Sequence, residues 1–113
     1  MRRLFAGVAT ALIAAPIALA PSASADRDTE FANQLHGFGI YGQRDFNAWL
    51  AKIACKRLTT GVDADATASA EFLSANLARS TSTEQVWQFL GAGIPRYCPE
   101  HLGVLTAPAG EHA

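Results

Sequence analysis

The first 25 residues have the pattern of a secretory signal peptide, so only the other 88 of the 113 residues have to fold. Arg2 and Arg3 precede seventeen uncharged residues, 4–20. Ala23 and Ala25 then form the small-x-small pattern of a cleavage site, directly before the charged Asp26. We expect cleavage after Ala25, either by general secretion or through a twin-arginine signal. A retained anchor is the alternative, but Pro16 interrupts a stretch that is already short for a bilayer span. No transmembrane anchor is therefore expected after cleavage.

The composition excludes several classes of protein. Nine basic and ten acidic side chains give a net charge of −1, and removal of the two leader arginines makes it −3, so the clustered Lys and Arg of a nucleic-acid binder are missing. Two cysteines are too few for a four-cysteine zinc site, and a hydrophobic content of 50% argues against disorder. We expect one helical domain over residues 26–102 and a flexible tail over residues 103–113.

Apolar residues recur at helical spacing in four segments of this domain. The segments are residues 26–38, 45–59, 66–79 and 82–98. No segment has the alternating pattern of a convincing strand. The sequence therefore predicts an all-α fold, a small bundle of about four short helices.

The predicted helix ends carry recognisable signals. Glycines break the pattern after the first two segments, and either Asp63 or Asp65 can cap the third. Ser82 with Gln85, or Thr81 with Glu84, fits a capping box before the fourth segment. Pro95 is expected to kink that helix or loosen one turn.

The second segment is apolar on two faces, which is typical of the central helix of a small bundle. One stripe contains Phe46, Leu50, Ile53 and Arg57, with Trp49 beside it, and the opposite face contains Ala48, Ala51, Cys55 and Leu58.

Two tryptophans and two phenylalanines are the remaining large side chains of the helical segments: Phe46, Trp49, Trp87 and Phe89. We interpret them as ordinary core residues. The alternative is that one or two stay exposed, because a domain of this size buries only part of its apolar surface. An exposed aromatic patch would mark a surface for a partner, a lipid or a ligand.

Cys55 and Cys98 are the only cysteines, and export would bring them into an oxidising compartment. An even number of cysteines in such a chain predicts a disulfide, and two cysteines allow one connectivity. A redox-active pair is the alternative, but such cysteines normally lie two residues apart at the start of a helix. The pair is therefore predicted to form a structural bridge between the second and fourth helices.

A resemblance at the family level rests on three short patterns: Phe31-x-x-x-Leu35-x-x-x-Gly39-Ile40, Cys55-x-x-Leu58-x-x-Gly61, and Phe89 followed by Tyr97-Cys98-Pro99. In this order, after a signal peptide, they resemble the mycobacterial and actinobacterial domain of unknown function family 732. The resemblance covers residues 28–99. It implies a secreted helical domain with a cysteine pair, and it implies no established activity and no catalytic residues.

The residues that could carry chemistry are few. His36, His101 and His112 have no histidine or cysteine at the spacing of a local metal motif, so no metal site is predicted. His36 is expected near the C-terminal end of the first helix, where it suits the helix dipole. Together with Tyr41 and Tyr97, it offers the side chains of a haem or small-ligand site. The alternative is that both tyrosines cover the core.

No nucleophile elbow, metalloprotease motif, phosphate loop or clustered acid pair is present, so we predict no catalytic residues and assign no cofactor. The leading hypothesis is a secreted, non-enzymatic helical module that binds a protein or a component of the cell envelope. The alternative is a carrier that holds haem or lipid in an apolar pocket between helices.

Overall fold

The computed structural model describes residues 23–106, which form a bundle of four main helices. The elements are α1 (Ala23–Gly37), α2 (Arg44–Thr59), α3 (Ala66–Asn76), α4 (Thr83–Tyr97), a 3₁₀ turn (Pro99–His101) and a short α5 (Gly103–Thr106). The predicted all-α fold is therefore confirmed. Most of the predicted signal peptide, residues 1–22, and the tail residues 107–113 lie outside the described part of the chain.

Contacts near the helix ends define the direction of α1 relative to α4. Gln85, in the first turn of α4, donates a hydrogen bond from Nε2 to the carbonyl oxygen of Phe38, just after α1 (3.0 Å). Tyr97, at the end of α4, donates from its hydroxyl to Oδ1 of Asp28, in the N-terminal half of α1 (2.5 Å). The two helices are therefore antiparallel.

Helices α2 and α4 form the central pair, because they contact each other and both contact α1 and α3. The Cys55–Cys98 disulfide joins them near their C-terminal ends, with Cα atoms 5.9 Å apart. Gly93 of α4 faces Ala51 of α2, since a Cβ atom at this position would lie 3.4 Å from Cβ of Ala51, at the close edge of van der Waals contact. The predicted bridge and the central position of the second helix are confirmed.

The core lies between this central pair and the two flanking helices. Phe31 of α1 and Phe89 of α4 meet edge to face, with ring centroids 5.3 Å apart, a favourable geometry for aromatic pairs. The other large side chains that are almost fully buried are Leu35, Leu50, Leu73, Leu90 and Ile94. Every main helix contributes at least one of these residues, so none of the four can leave without opening the core.

Two helix boundaries follow the predicted signals closely. Helix α1 ends where Gly39 has a φ of +80°, and the amide of Ile40 donates to the carbonyl of Leu35, as in a Schellman motif. At the start of α4, the Ser82 side chain accepts from the Gln85 amide and the Gln85 side chain accepts from the Ser82 amide. The predicted break at the glycines and the Ser82–Gln85 capping box are confirmed.

Other boundaries differ from the prediction. Helix α3 ends at Asn76 rather than Arg79, because Leu77 leaves the helix with an extended backbone. Helix α4, by contrast, agrees with the predicted segment 82–98, since it continues through Pro95 and ends at Tyr97. Residues 103–106, predicted as part of a flexible tail, form the helical turn α5, in which Val104 and Leu105 are half-buried against the core.

Of the two residues predicted as alternative caps of α3, Asp65 is the cap and Asp63 is not. Asp65 caps α3 by accepting from the amide of Ala68 (2.9 Å). The Asp63 side chain is 2% exposed, accepts two hydrogen bonds from the Arg57 guanidinium (2.9 and 3.0 Å) and one from the hydroxyl of Ser69 (3.0 Å). This carboxylate therefore joins the end of α2 to the start of α3.

We predict that Asp63→Ala destabilises the protein more than Asp65→Ala does. Loss of Asp63 leaves the partly buried Arg57 without its partner, which should cost about 2–3 kcal/mol of unfolding free energy. Loss of the cap should cost about 1 kcal/mol. Urea unfolding followed by circular dichroism measures both values. Equal losses for the two variants would show that the Arg57–Asp63 pair adds nothing beyond a cap.

Candidate functional site

A pocket of about 350 Å³ lies at one end of the bundle, which we call the loop end. Here the loop between α1 and α2 meets the loop between α3 and α4, next to the first turns of α2 and α4. The pocket is lined by Gly39, Ile40, Tyr41, Gly42, Phe46, Asn47, Leu77, Ala78, Ser80, Thr81 and Gln85. None of these residues is a lysine, arginine, histidine, aspartate or glutamate.

Gln85 holds the two sides of the loop end together. Its Nε2 donates to the Phe38 carbonyl of the first loop, and its Oε1 accepts from the Ser82 amide at the end of the second loop. Both ends of the Gln85 amide are therefore occupied within the fold. Gly39 passes close to this side chain, since a Cβ atom there would lie 3.2 Å from Gln85 Nε2. The glycine loop is thus held in a defined position beside α4.

Three aromatic side chains at or near the pocket are exposed, and we call them the aromatic rim: Tyr41 (69% exposed), Phe46 (43%) and Trp49 (56%). Phe46 and Trp49 lie on the first turns of α2 with ring centroids 5.9 Å apart. The interpretation of both as core residues is therefore wrong, whereas Phe89 is buried as expected. Small residues, Ala48, Ala51 and Ala54, occupy the inner face of α2 instead, because the neighbouring helices approach it closely.

Asn47 is the least expected residue of the site. It is only 4% exposed and lines the pocket, yet its side-chain amide has no hydrogen-bond partner among residues 23–106. Gly42 lies beside it, since a Cβ atom at Gly42 would be in ordinary van der Waals contact with Asn47 Nδ2 at 3.6 Å. Among the described residues, the enclosed side-chain atom without a partner is Nε of Arg96, so the Asn47 amide atoms are open to the pocket. An amide that the fold leaves unpaired at a pocket wall is therefore available to a ligand.

The three ligand residues considered from sequence do not form one site. His36 lies in the last turn of α1, as predicted, and its ring contacts that of Tyr41, with centroids 5.2 Å apart. Tyr97 lies at the other end of α1, where it contacts Asp28 and Phe31. About five to eight residues of α1 separate the two places, which corresponds to roughly 8–12 Å along the helix.

Tyr97 is bound within the fold rather than presented to a ligand. Its hydroxyl donates to Asp28, its ring meets Phe31 edge to face at 5.3 Å, and the Lys52 ammonium lies 5.4 Å from its centroid. Burial, reinforced by the hydrogen bond to Asp28, raises the pKa of Tyr97 well above its ordinary value. A tyrosine that ligates haem iron must lose this proton. Its environment therefore opposes that role.

Between residues 23 and 106, no three His, Cys, Asp or Glu side chains come together in an arrangement that could hold a metal ion. Within the same range, no helix is both long and apolar enough to cross a membrane.

Asn47 was not predicted as a site residue, although its position in the sequence carries a signal. Asn47 stands three, seven and eleven residues before Leu50, Ala54 and Leu58, all of them buried on the inner side of α2. A polar residue in register with a buried stripe needs a partner, and no neighbour in sequence supplies one. Asn47 was overlooked because the apolar stripe predicted for the second helix passed through Phe46 instead.

We predict that Asn47→Ala leaves the unfolding free energy unchanged within about 0.5 kcal/mol, or raises it. The amide contributes no hydrogen bond to the fold, and alanine is the better helix former. Urea unfolding of this variant beside the wild type measures the difference. A loss of more than about 2 kcal/mol, typical of a broken buried hydrogen bond, would mean that the amide has a structural partner.

Comparison with known proteins assigns the chain to a family. The family model described as "Protein of unknown function (DUF732)" matches residues 25–100. Two uncharacterized proteins of Mycobacterium tuberculosis, Rv0559c of strain H37Rv and MT0585 of strain CDC 1551, are each 57% identical to the chain over 93 residues, which covers 82% of this chain and 83% of theirs. The search of solved structures finds no match. The family match and these two relatives show that the chain belongs to the DUF732 family of proteins of unknown function.

Proposed function

We propose that this protein is an exported, non-enzymatic binding module that attaches to a component of the cell envelope through its loop end. The observation that carries the proposal is the aromatic rim, three large side chains left in solvent around an uncharged pocket. Surface patches of this kind usually mark interaction sites. The described residues thus offer a compact surface on which a partner can bury aromatic area.

The size of the rim supports binding as its role. An aromatic side chain buries about 150–250 Å² when it is fully covered, so the exposed parts of Tyr41, Phe46 and Trp49 together present roughly 300 Å². At about 25 cal/mol per Å², covering this area supplies roughly 7 kcal/mol before the costs of association. That amount is enough for weak or moderate affinity.

The chemistry of the pocket supports binding rather than catalysis. Its polar lining consists of amide and hydroxyl groups, and Tyr41 is the one ionisable residue among the lining side chains. The hydroxyls of Ser80 and Thr81 have no carboxylate or imidazole beside them in that lining that could act as a base. Amides and hydroxyls can donate and accept hydrogen bonds without taking part in proton transfer.

Export is supported by the signal-peptide pattern and by the disulfide. Cys55 and Cys98 stand in bridging geometry, and a bridge of this kind persists in oxidising compartments outside the cytosol. The place of α1 in the fold agrees with a mature chain that begins at Asp26, because its large core contacts, Phe31 and Leu35, lie after the expected cleavage point.

A carrier with its ligand enclosed between the helices has less support. Phe31, Leu50, Leu73 and Phe89 fill the space between the helices, and the pocket lies at the end of the bundle instead. The proposed ligand residue Tyr97 is also separated from His36 and Tyr41. Binding through the surface of the loop end is therefore better supported than an enclosed carrier.

The test is cell fractionation of a mycobacterial host that expresses the full gene. We expect the wild-type protein to begin at Asp26 and to sediment with the envelope fraction. A double variant, Phe46→Ser with Trp49→Ser, should be exported and folded but released into the medium, because the aromatic area that binds is lost.

Val62→Ser is the matched control, because Val62 is 63% exposed and lies outside the lining of the loop-end pocket. It should sediment like the wild type. Two outcomes would contradict the proposal: protein that stays in the cytosol with Met1 intact, or a double variant that remains with the envelope as firmly as the wild type.

A further inference from the structure

We propose that the loop-end pocket binds a neutral saccharide, whose ring packs on the aromatic rim while its hydroxyl groups bond to Asn47. This inference rests on the proposed function and names the class of ligand for the same surface. Four properties of the pocket support it: its lack of charge, the unpaired amide, the flat aromatic faces beside it, and its size.

The first property is the absence of charge. No lysine, arginine, histidine, aspartate or glutamate lines the pocket. Asp45, Arg79 and Glu84 directly adjoin lining residues in the sequence but do not line the pocket, and Asp45 is paired with Arg44 at 2.8 Å. A charged ligand would lose water without gaining an opposite charge, which is unfavourable. The ligand that fits this lining is neutral.

The second property is the unpaired amide of Asn47. An amide has a carbonyl that accepts and an NH₂ group that donates, and a ligand hydroxyl can do both. The hydroxyls of Tyr41, Ser80 and Thr81 add further groups of the same kind to the wall or rim of the pocket. A hydrocarbon chain would leave the Asn47 amide without a partner and would lose affinity for that reason. The amide therefore favours a ligand rich in hydroxyl groups over a lipid chain.

The third property is the aromatic rim. The C–H groups on one face of a sugar ring form a flat apolar surface, which packs well on an aromatic ring. Tyr41 and Phe46 line the pocket, and Trp49 contacts Phe46 just outside it. The Phe46 and Trp49 rings are tilted by 39° to each other, and the Tyr41 ring contacts that of His36. Several aromatic side chains on one surface suit a short run of a linear polysaccharide better than an isolated small molecule.

The fourth property is the size of the pocket. A volume of about 350 Å³ is at the lower limit for ligand pockets, so it accepts about one or two sugar rings. Peptide binding by strand addition has no counterpart here, because residues 23–106 contain no strand whose edge could be extended. The rest of a longer saccharide would continue over Trp49.

The experiment is an NMR titration of the ¹⁵N-labelled protein, with its disulfide intact, against a panel of neutral oligosaccharides of two to six hexose or pentose units. We expect at least one member to shift the side-chain NH₂ signals of Asn47 and the indole signal of Trp49. The corresponding uronic acid oligomers, which carry negative charge, and a proline-rich peptide should leave both signals in place.

Variants separate the roles of the residues. Asn47→Ala and Trp49→Ala should each weaken the binding of the best saccharide about tenfold or more. Asn33→Ala is the matched control, because Asn33 is exposed on α1 away from the pocket lining, and it should bind like the wild type. Tyr41→Phe removes one hydroxyl alone, and its smaller loss of affinity tests the contact if another variant fails to fold.

The proposal is overturned if no neutral saccharide shifts the Asn47 signals at about 10 mM, or if Asn47→Ala binds as tightly as the wild type. It is also overturned if the peptide or the charged oligomers bind better than every neutral oligosaccharide. In those cases, sedimentation of the wild type with the envelope would leave the proposed function standing with a different ligand. Loss of that sedimentation would remove both.

Discussion

The disulfide between α2 and α4 is the constraint on which the arrangement of the bundle depends. It joins the C-terminal ends of the two central helices, and both flanking helices pack against that pair. Closing a loop of about 43 residues removes entropy from the unfolded chain that corresponds to roughly 4 kcal/mol. Net stabilities of small domains are of the same order. The core of Phe31, Leu50 and Phe89 is therefore assembled around a covalent connection.

Placing this connection at one end leaves the other end available for function. Both central helices begin at the loop end, and Cys55 lies eight residues after Asn47, about 12 Å along α2. The loops at that end are held by Gln85 and by the turn at Gly39 rather than by a large core. Helix α2 serves both ends: its inner face carries alanines and Leu50, and its first turns carry the aromatic rim and Asn47.

Periodicity and end signals predicted most of the fold. The spacing of Phe31, Leu35 and Phe89, the glycine break and the Ser82 capping box depend on short-range interactions, which can be recognised in a sequence. The orientation of α2 could not be predicted in the same way, because that helix has apolar residues all around. The face that is buried depends on how closely the neighbours approach, and here the alanines and Gly93 permit the closer contact.

The site depends on contacts between residues that are distant in the chain, which explains why it was only partly predicted. Tyr41, His36 and Tyr97 were considered together as ligand residues. His36 does contact Tyr41, but Tyr97 lies at the far end of α1. Asp63 and Asp65 look alike in sequence, and only the position of Arg57 and Ser69 separates the buried carboxylate from the cap. Asn47 was missed because an unpaired amide can be recognised only when all of its neighbours in the fold are known.

The most direct test of the central claim is urea unfolding of the oxidised protein and of the protein with both cysteines reduced. If the bridge between α2 and α4 organises the bundle, reduction should lower the unfolding free energy by about 2–4 kcal/mol. The reduced protein should then unfold at a clearly lower urea concentration. Equal midpoints for the two forms would contradict the account, because the four helices would then hold together without the constraint assigned to Cys55 and Cys98.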